Sequence, residues 1–183
     1  MAHGFRMGIA GLVFFASAAC AGETMTEDFE GTPEDRWRFI EDRVMGGVSS
    51  GQMTFQSEEG DAFARLEGAV STENNGGFIQ MRRALEGPPP DGATGVRLVV
   101  RGNAERYFVH LRSEESLRPW YFFQAGFPVT EDWSEVRLPF EAFQPSRRFS
   151  GAVSGETRLT SIAVVAYGRD HKARVDVREI GFY

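Results

Sequence analysis

Two kinds of residue in this 183-residue chain are equipped for chemistry, and they are unequal in what they offer. The first kind moves protons or holds metals. Apart from His3 the histidines are His110 and His171, and neither stands in a serine elbow, an H-E-x-x-H helix or a paired ligand spacing. The carboxylate pairs Glu58-Glu59 and Glu114-Glu115 fall in expected loops. Neighbouring residues of a strand point apart, so a glycosidase acid and nucleophile would have to be brought together by the fold. Cys20 is the only cysteine, which leaves no disulfide framework and no cysteine zinc site. Asp28, Glu30 and Asp176 are oxygen donors near the two ends of the chain, but they lack the spacing of a calcium loop. The chain therefore reads as non-enzymatic, with no catalytic residue, no metal site and no cofactor.

The second kind recognises ligands. Alternation from Tyr107 to Arg112 puts Phe108, His110 and Arg112 on one face of a strand and Tyr107, Val109 and Leu111 on the other. In the next segment Trp120, Phe122 and Gln124 share a face in the same way. An aromatic ring, a glutamine amide and an arginine fork suit sugar recognition, by stacking and by hydrogen bonds to hydroxyls. The competing reading is that the rings fill a core. Two glycine-rich segments add a shaped surface: Asp42-Arg43-Val44-Met45-Gly46-Gly47-Val48-Ser49, and Asn74-Asn75-Gly76-Gly77-Phe78 followed by Arg82 and Arg83. Paired glycines allow positive φ or close approach of a ligand or a second chain. Asp42 and Arg43 either pair with each other on the surface or present charge to a partner. Asn74 and Asn75 either close their own turn or touch the ligand. The candidate surface comprises Asp42, Arg43, Met45, Gly46, Gly47, Ser49, Asn74, Asn75, Gly76, Gly77 and Arg82, with Arg112, Trp120 and Gln124 nearby.

Strands must position these groups. Apolar residues alternate at Val96, Leu98 and Val100, at Val136, Leu138 and Phe140, and at Val175 and Val177 before Ile180 and Phe182. The run from Ile162 to Tyr167 is continuously apolar, as expected of a central strand covered on both faces. Turn chemistry at Glu59-Gly60-Asp61, Gly87 to Gly92, Gly102-Asn103 and Thr130 to Asp132 punctuates the runs. Short helical turns are expected first near Pro33 to Trp37 and near Glu141 to Phe143. About nine short strands so spaced predict an all-β single domain, a β-sandwich.

The segments Asp42-x-Val44-Met45-Gly46-Gly47-x-Ser49, Asn74-Asn75-Gly76-Gly77-Phe78-x-x-x-Arg82, Arg101-Gly102 with Arg106-Tyr107, and Trp133-x-x-Val136-x-Leu138-Pro139-Phe140-x-x-Phe143 resemble, in order and spacing, the complex I intermediate-associated protein 30 family. The resemblance implies a galactose-binding-like jelly roll, related in shape to carbohydrate-binding modules, and a part in assembling a respiratory-type membrane complex. It implies no catalytic activity.

The first residues bear on where that role is played. Arg6, an apolar run from about Met7 to Ala18 and an Ala19-Cys20-Ala21 site read as an export signal over residues 1–21, with the sandwich in 22–183. The apolar run is shorter than the roughly 20 residues that span a bilayer, so no transmembrane segment is expected in the processed chain. Lipid anchoring through Cys20 is the less favoured reading, because Ser17 stands where such sites carry leucine. The formal charge of −6 argues against a phosphate-driven nucleic-acid partner. Taken together the sequence predicts an exported, periplasmic binding domain with a protein partner, such as subunits of a membrane complex. The alternative is a carbohydrate-binding module for a periplasmic or cell-wall glycan.

Overall fold

A computed structural model describes residues 26–146 and 149–183; residues 1–25, and with them the expected signal and Cys20, lie outside the described residues. In chain order the strands are β1 (Thr26–Glu27), β2 (Trp37–Glu41), β3 (Ser50–Glu58), β4 (Asp61–Val70), β5 (Phe78–Gly87), β6 (Gly95–Gly102), β7 (Arg106–Ser113), β8 (Phe123–Pro128), β9 (Ser134–Pro139), β10 (Gln144–Pro145), β11 (Leu159–Tyr167) and β12 (His171–Phe182). One turn of α-helix, Pro33–Arg36, and 3-10 turns at Asp42–Met45, Glu73–Asn75 and Phe140–Ala142 complete the elements. Both short helical regions expected from the sequence are present. The strands number more than expected because β1 and β10 have two residues each, too few to show a period.

Two antiparallel sheets form the sandwich, one in the order β3-β4-β12-β6-β9 with β1 added to β12, the other in the order β10-β8-β7-β11-β5-β2. Their inner faces are the alternating residues of the sequence: Val96, Leu98 and Val100 of β6 and Tyr107, Val109 and Leu111 of β7 are all fully buried. Full burial of a side chain of this size contributes roughly 1.5–3 kcal/mol. In β12 the apolar phase changes from Val175 and Val177 to Ile180 and Phe182. A bulge between Val177 and Glu179, where the register with β6 slips, makes both pairs face the core.

Turns complete the frame at two informative places. The two-residue turn between β3 and β4 uses Glu59 and Gly60, both at positive φ, as a primed hairpin requires. Trp120, expected on a strand, sits instead in a turn closed by the Tyr121 N–H donating to the Arg118 carbonyl at 3.0 Å. Pro119 accounts for the difference, since proline favours turns and supplies no ladder donor, and β8 begins only at Phe123.

Candidate binding site

The outer face of the β10-β8-β7-β11-β5-β2 sheet is concave, and register sets its side chains in rows. One row runs Arg38, Arg82, Ala163, His110 and Gln124 across β2, β5, β11, β7 and β8. The next runs Ile40, Gln80, Val165, Phe108 and Gly126. A cleft of about 680 Å³ lies over these rows. The residues Ala163 and Val165 form its floor, so the apolar run of β11 is explained on one side by the core and on the other by this cleft.

Aromatic rings line the floor. Phe122 stacks on His110 with centroids 4.1 Å apart and planes at 12°, and Tyr167 stands edge-on to both, at 5.3 Å from His110 and 6.0 Å from Phe122. Burial pushes the His110 imidazole down to about 3, with the Gln124 amide beside it acting the other way. His110 Nε2 and Gln124 Oε1 both lack a well-formed hydrogen bond among the described residues. The imidazole is thus a neutral plate in the floor.

The two glycine-rich segments meet behind one end of the cleft, and Asp42 is what they meet around. Its carboxylate is fully buried and accepts from the Ser49 N–H (3.0 Å) and the Ser49 hydroxyl (2.5 Å), and from the N–H groups of Gly77 (2.6 Å) and Phe78 (3.2 Å). Burial alone would raise its pKa, but the Gly77 N–H, the Ser49 hydroxyl and the N–H groups of Phe78 and Ser49 outweigh this and lower it. The glycines are needed for this packing. A Cβ on Gly47 would lie 2.3 Å from the Asp42 carboxyl carbon, and one on Gly76 would lie 2.4 Å from its Oδ2. Gly47→Ala is therefore expected to destabilise the chain by about 2–4 kcal/mol, a cost in the range of overpacking and disturbed buried networks, read from the urea unfolding midpoint. An unchanged midpoint would mean that the loop yields freely.

The sequence candidates divide between lining and support. Met45, Asn75, Gly76, Arg82, Arg112 and Trp120 all line the cleft. Asp42, Gly47, Ser49 and Gly77 form its buried support, so Asp42 neither pairs with Arg43 nor presents charge to a partner. Arg43 pairs with Glu41 at 3.2 Å instead. Gly46 ends the 3-10 turn in the left-handed conformation, at φ 90°. Asn74 and Asn75 take positive φ within their own turn, and only Asn75 reaches the cleft. Gln124 shares the row of His110 but lies outside the lining. Val44, Phe78 and Gln80, which lie within the two segments read as a surface, line it too, whereas Ile40 and Tyr167 line it without having been singled out from the sequence.

The remaining motifs build the opposite sheet and, through Tyr107 of β7, tie it to the sheet that carries the cleft. Asp176 accepts from Arg65 at 2.6 and 2.8 Å and from Arg101 at 2.9 Å, which accounts for a carboxylate that sequence alone offered to calcium. Arg101 stacks on Trp133 at 4.5 Å and on Phe63 at 5.4 Å. The Tyr107 hydroxyl donates to Asn103 Oδ1 and accepts from the Arg174 N–H. Among the described residues no group of three or more His, Cys, Asp or Glu could hold a metal ion, and no helix is long and apolar enough to cross a membrane.

Comparison with known proteins gives a family match over residues 27–168, to the family described as Complex I intermediate-associated protein 30. No curated protein matches the sequence. Among solved structures, the family 11 carbohydrate-binding module of a cellulosomal cellulase of Clostridium thermocellum is similar at 14% identity and a TM-score of 0.69, covering 90% of this chain and 95% of that one. The family 11 module from the same organism in complex with a β-1,3-1,4-mixed-linked tetrasaccharide is similar at 15% identity and a TM-score of 0.69, covering 90% and 96%. A family 30 carbohydrate-binding module is similar at 12% identity and a TM-score of 0.52, covering 75% and 92%. At such identities the likeness is one of fold, a jelly-roll sandwich.

Proposed function

The chain belongs to the complex I intermediate-associated protein 30 family, and from that premise we propose that it is a non-catalytic binding domain whose concave face holds a segment of a protein partner, as an accessory or assembly factor for a membrane-associated complex. One observation carries this reading. Exposed large apolar side chains gather at the cleft: Val44 (75% exposed), Met45 (53%) and Trp120 (52%) line it, and Leu117 (83%) stands on the same β7–β8 connection as Trp120. A contiguous exposed apolar patch is characteristic of a macromolecular contact, and a central tryptophan is the usual anchor of one. Aliphatic side chains such as Val44, Met45 and Leu117 gain by covering apolar protein surface and gain little from sugar hydroxyls. None of the residues lining the cleft is acidic, so His110 has no carboxylate partner there, which supports the non-enzymatic reading. Residues 1–21 are taken as an export signal, which places the partner outside the cytoplasm.

Capture from solubilised membranes by the wild-type chain and by Trp120→Ala, read by mass spectrometry, tests the proposal. Subunits of one membrane complex should be enriched by the wild type and reduced at least ten-fold by the variant, as expected for loss of a hot-spot side chain. The unfolding midpoint should hardly move, because Trp120 is half exposed. Equal capture by both chains would remove the cleft from the account.

A second reading has its own support. Trp120 stands with Asn75, Gln80, Arg82 and Arg112 in one cleft, a stacking platform with hydrogen-bonding groups, on the fold of carbohydrate-binding modules. A change in tryptophan fluorescence on titration with a mixed-linked β-glucan, absent in Trp120→Ala, would favour that glycan over a protein.

A further inference from the structure

We propose that the segment held in the cleft carries aspartate or glutamate side chains on one side of its apolar residues, and that these carboxylates seat on Arg38, Arg82 and Arg112. The proposal rests on the reading of the concave face as a surface for a protein segment, and it adds the chemistry of that segment.

The three guanidinium groups share one end of the concave face. Arg38 and Arg82 are register partners on β2 and β5, and Arg112 projects from β7 on the same face. The three line a hollow of about 350 Å³ that shares Arg82, Arg112 and Ser161 with the main cleft. Along β2 the next outward residue after Arg38 is Ile40, and beyond it the chain enters the loop that carries Val44 and Met45. Each two-residue step on a strand covers about 7 Å. An extended segment lying along β2 and β5 would therefore meet apolar side chains at one end and guanidinium groups at the other.

Lack of an ion pair, together with a shared hollow, separates these three from the other arginines; Arg106, Arg118 and Arg174 also form no ion pair among the described residues, but they do not line it. Most of the described arginines are committed to carboxylates of the chain itself, among them Arg36 and Arg83 to Glu27, Arg65 and Arg101 to Asp176, and Arg97 to Glu135. Arg38, Arg82 and Arg112 form no ion pair among the described residues, in a chain whose net charge is −6. Asp35 is the single acidic residue lining the arginine hollow. Like charges directly across a strand pair are unfavourable, so an anion between Arg38 and Arg82 would relieve their repulsion, while the Arg38 Nη1 also donates to the Glu34 and Trp37 carbonyls. Arg112 is half-buried, and both burial and the nearby Arg82 charge push its pKa down. It is nonetheless held in place: its Nη2 donates to the carbonyls of Ser116 at 2.6 Å and Arg118 at 3.0 Å. Nε and Nη1 have no partner among the described residues, and each, on its own edge of the guanidinium, is free to donate singly to a carboxylate oxygen. A sequestered, oriented and uncompensated guanidinium in an acidic protein is a recognition element for a negative group.

The test uses the full chain and three fluorescein-labelled synthetic peptides that share one run of Leu, Phe and Val and end in three Glu, three Gln or three Lys. Fluorescence anisotropy is recorded at 50 and 300 mM salt. The glutamate peptide should bind at least ten-fold tighter than the glutamine peptide at low salt, with the lysine peptide weakest, and the advantage should shrink at high salt as screening demands. Arg82→Gln removes a guanidinium that makes no hydrogen bond among the described residues, and it should cut the glutamate-to-glutamine ratio severalfold. Adding Arg38→Gln and Arg112→Gln, which removes the other two guanidinium groups of the set, should bring the ratio close to one, with the unfolding midpoint recorded beside it to show that the triple variant is folded. Equal binding of the three peptides, or a ratio untouched by the arginine substitutions, would overturn the acidic preference while leaving the cleft as a peptide site. Failure of all three to bind, with a tryptophan response to polygalacturonate instead, would overturn this proposal together with the protein reading.

Discussion

Asp42→Ala should cost about 3–5 kcal/mol of folding free energy, the range for removing the acceptor from a buried, charge-assisted network, and most of the chain should be unfolded or aggregated at ambient temperature if its stability is of ordinary size. Four donors converge on this carboxylate, three of them backbone N–H groups. Without it they stay buried and unpaired, because the glycines that approach it have no side chain to offer. Asp42→Asn tests the same point differently. Its amide keeps one acceptor oxygen and turns the other position into a donor facing donors, so a loss nearly as large is expected. Urea unfolding followed by circular dichroism measures both. A variant that kept full stability but lost partner capture would return Asp42 to the binding surface, and it is for this reason that Trp120 and the arginines carry the binding tests.

The second large effect is on acid stability. In the folded chain burial holds His110 near 3, whereas an unfolded histidine titrates near 6.5. Below about pH 6.5 the unfolded chain therefore takes up a proton that the folded chain refuses. Stability is full above that value and is lost as the pH falls, by at most about 1.4 kcal/mol per unit from this group alone. The carboxylates act at lower pH. Glu27, Asp42 and Asp176 are all lowered in the folded chain, where burial is outweighed by hydrogen bonds and, for Glu27 and Asp176, by arginine partners. Their contribution is present above their unfolded values near 4 and is lost as the pH falls through the lowered folded ones. Unfolding midpoints between pH 7 and 4.5 should thus fall in the wild type and change much less in His110→Gln, which cannot charge. Parallel curves would show that His110 accepts a proton without unfolding.

Much of the fold was legible because its signal is local. Alternation in β6 and β7 gave both the strands and their inner faces. The changed phase in β12 recorded a bulge that only pairing with β6 makes visible. The family motifs were likewise readable in order, and the family match covers most of the chain. The site was legible by location and less so by role. Glycine pairs beside polar residues mark close approach, but a buried carboxylate and an external ligand demand the same small residues, so nothing local separated the support around Asp42 from the lining at Met45 and Asn75. Trp120 reached the expected cleft by a turn at Pro119 instead of a strand. The pairing of Arg38 with Arg82, and the lack of an ion pair at Arg112 among the described residues, depend on register between strands far apart in sequence. No window along the chain contains that information.

The central place of β12 governs when the molecule can come together. It lies between β4 and β6 and also receives β1, so a sheet begun by the earliest described residues acquires its middle strand only from the latest. Hairpins such as β3 with β4 can form as the chain emerges, but the hydrophobic faces of β4 and β6 have nothing to join them until residues 171–182 arrive. Such long-range closure makes folding slow relative to local pairing. A ribosome delivering this domain would hold an open polypeptide until residues 171–182 had emerged, and the binding cleft would be complete only once they had joined the sheet.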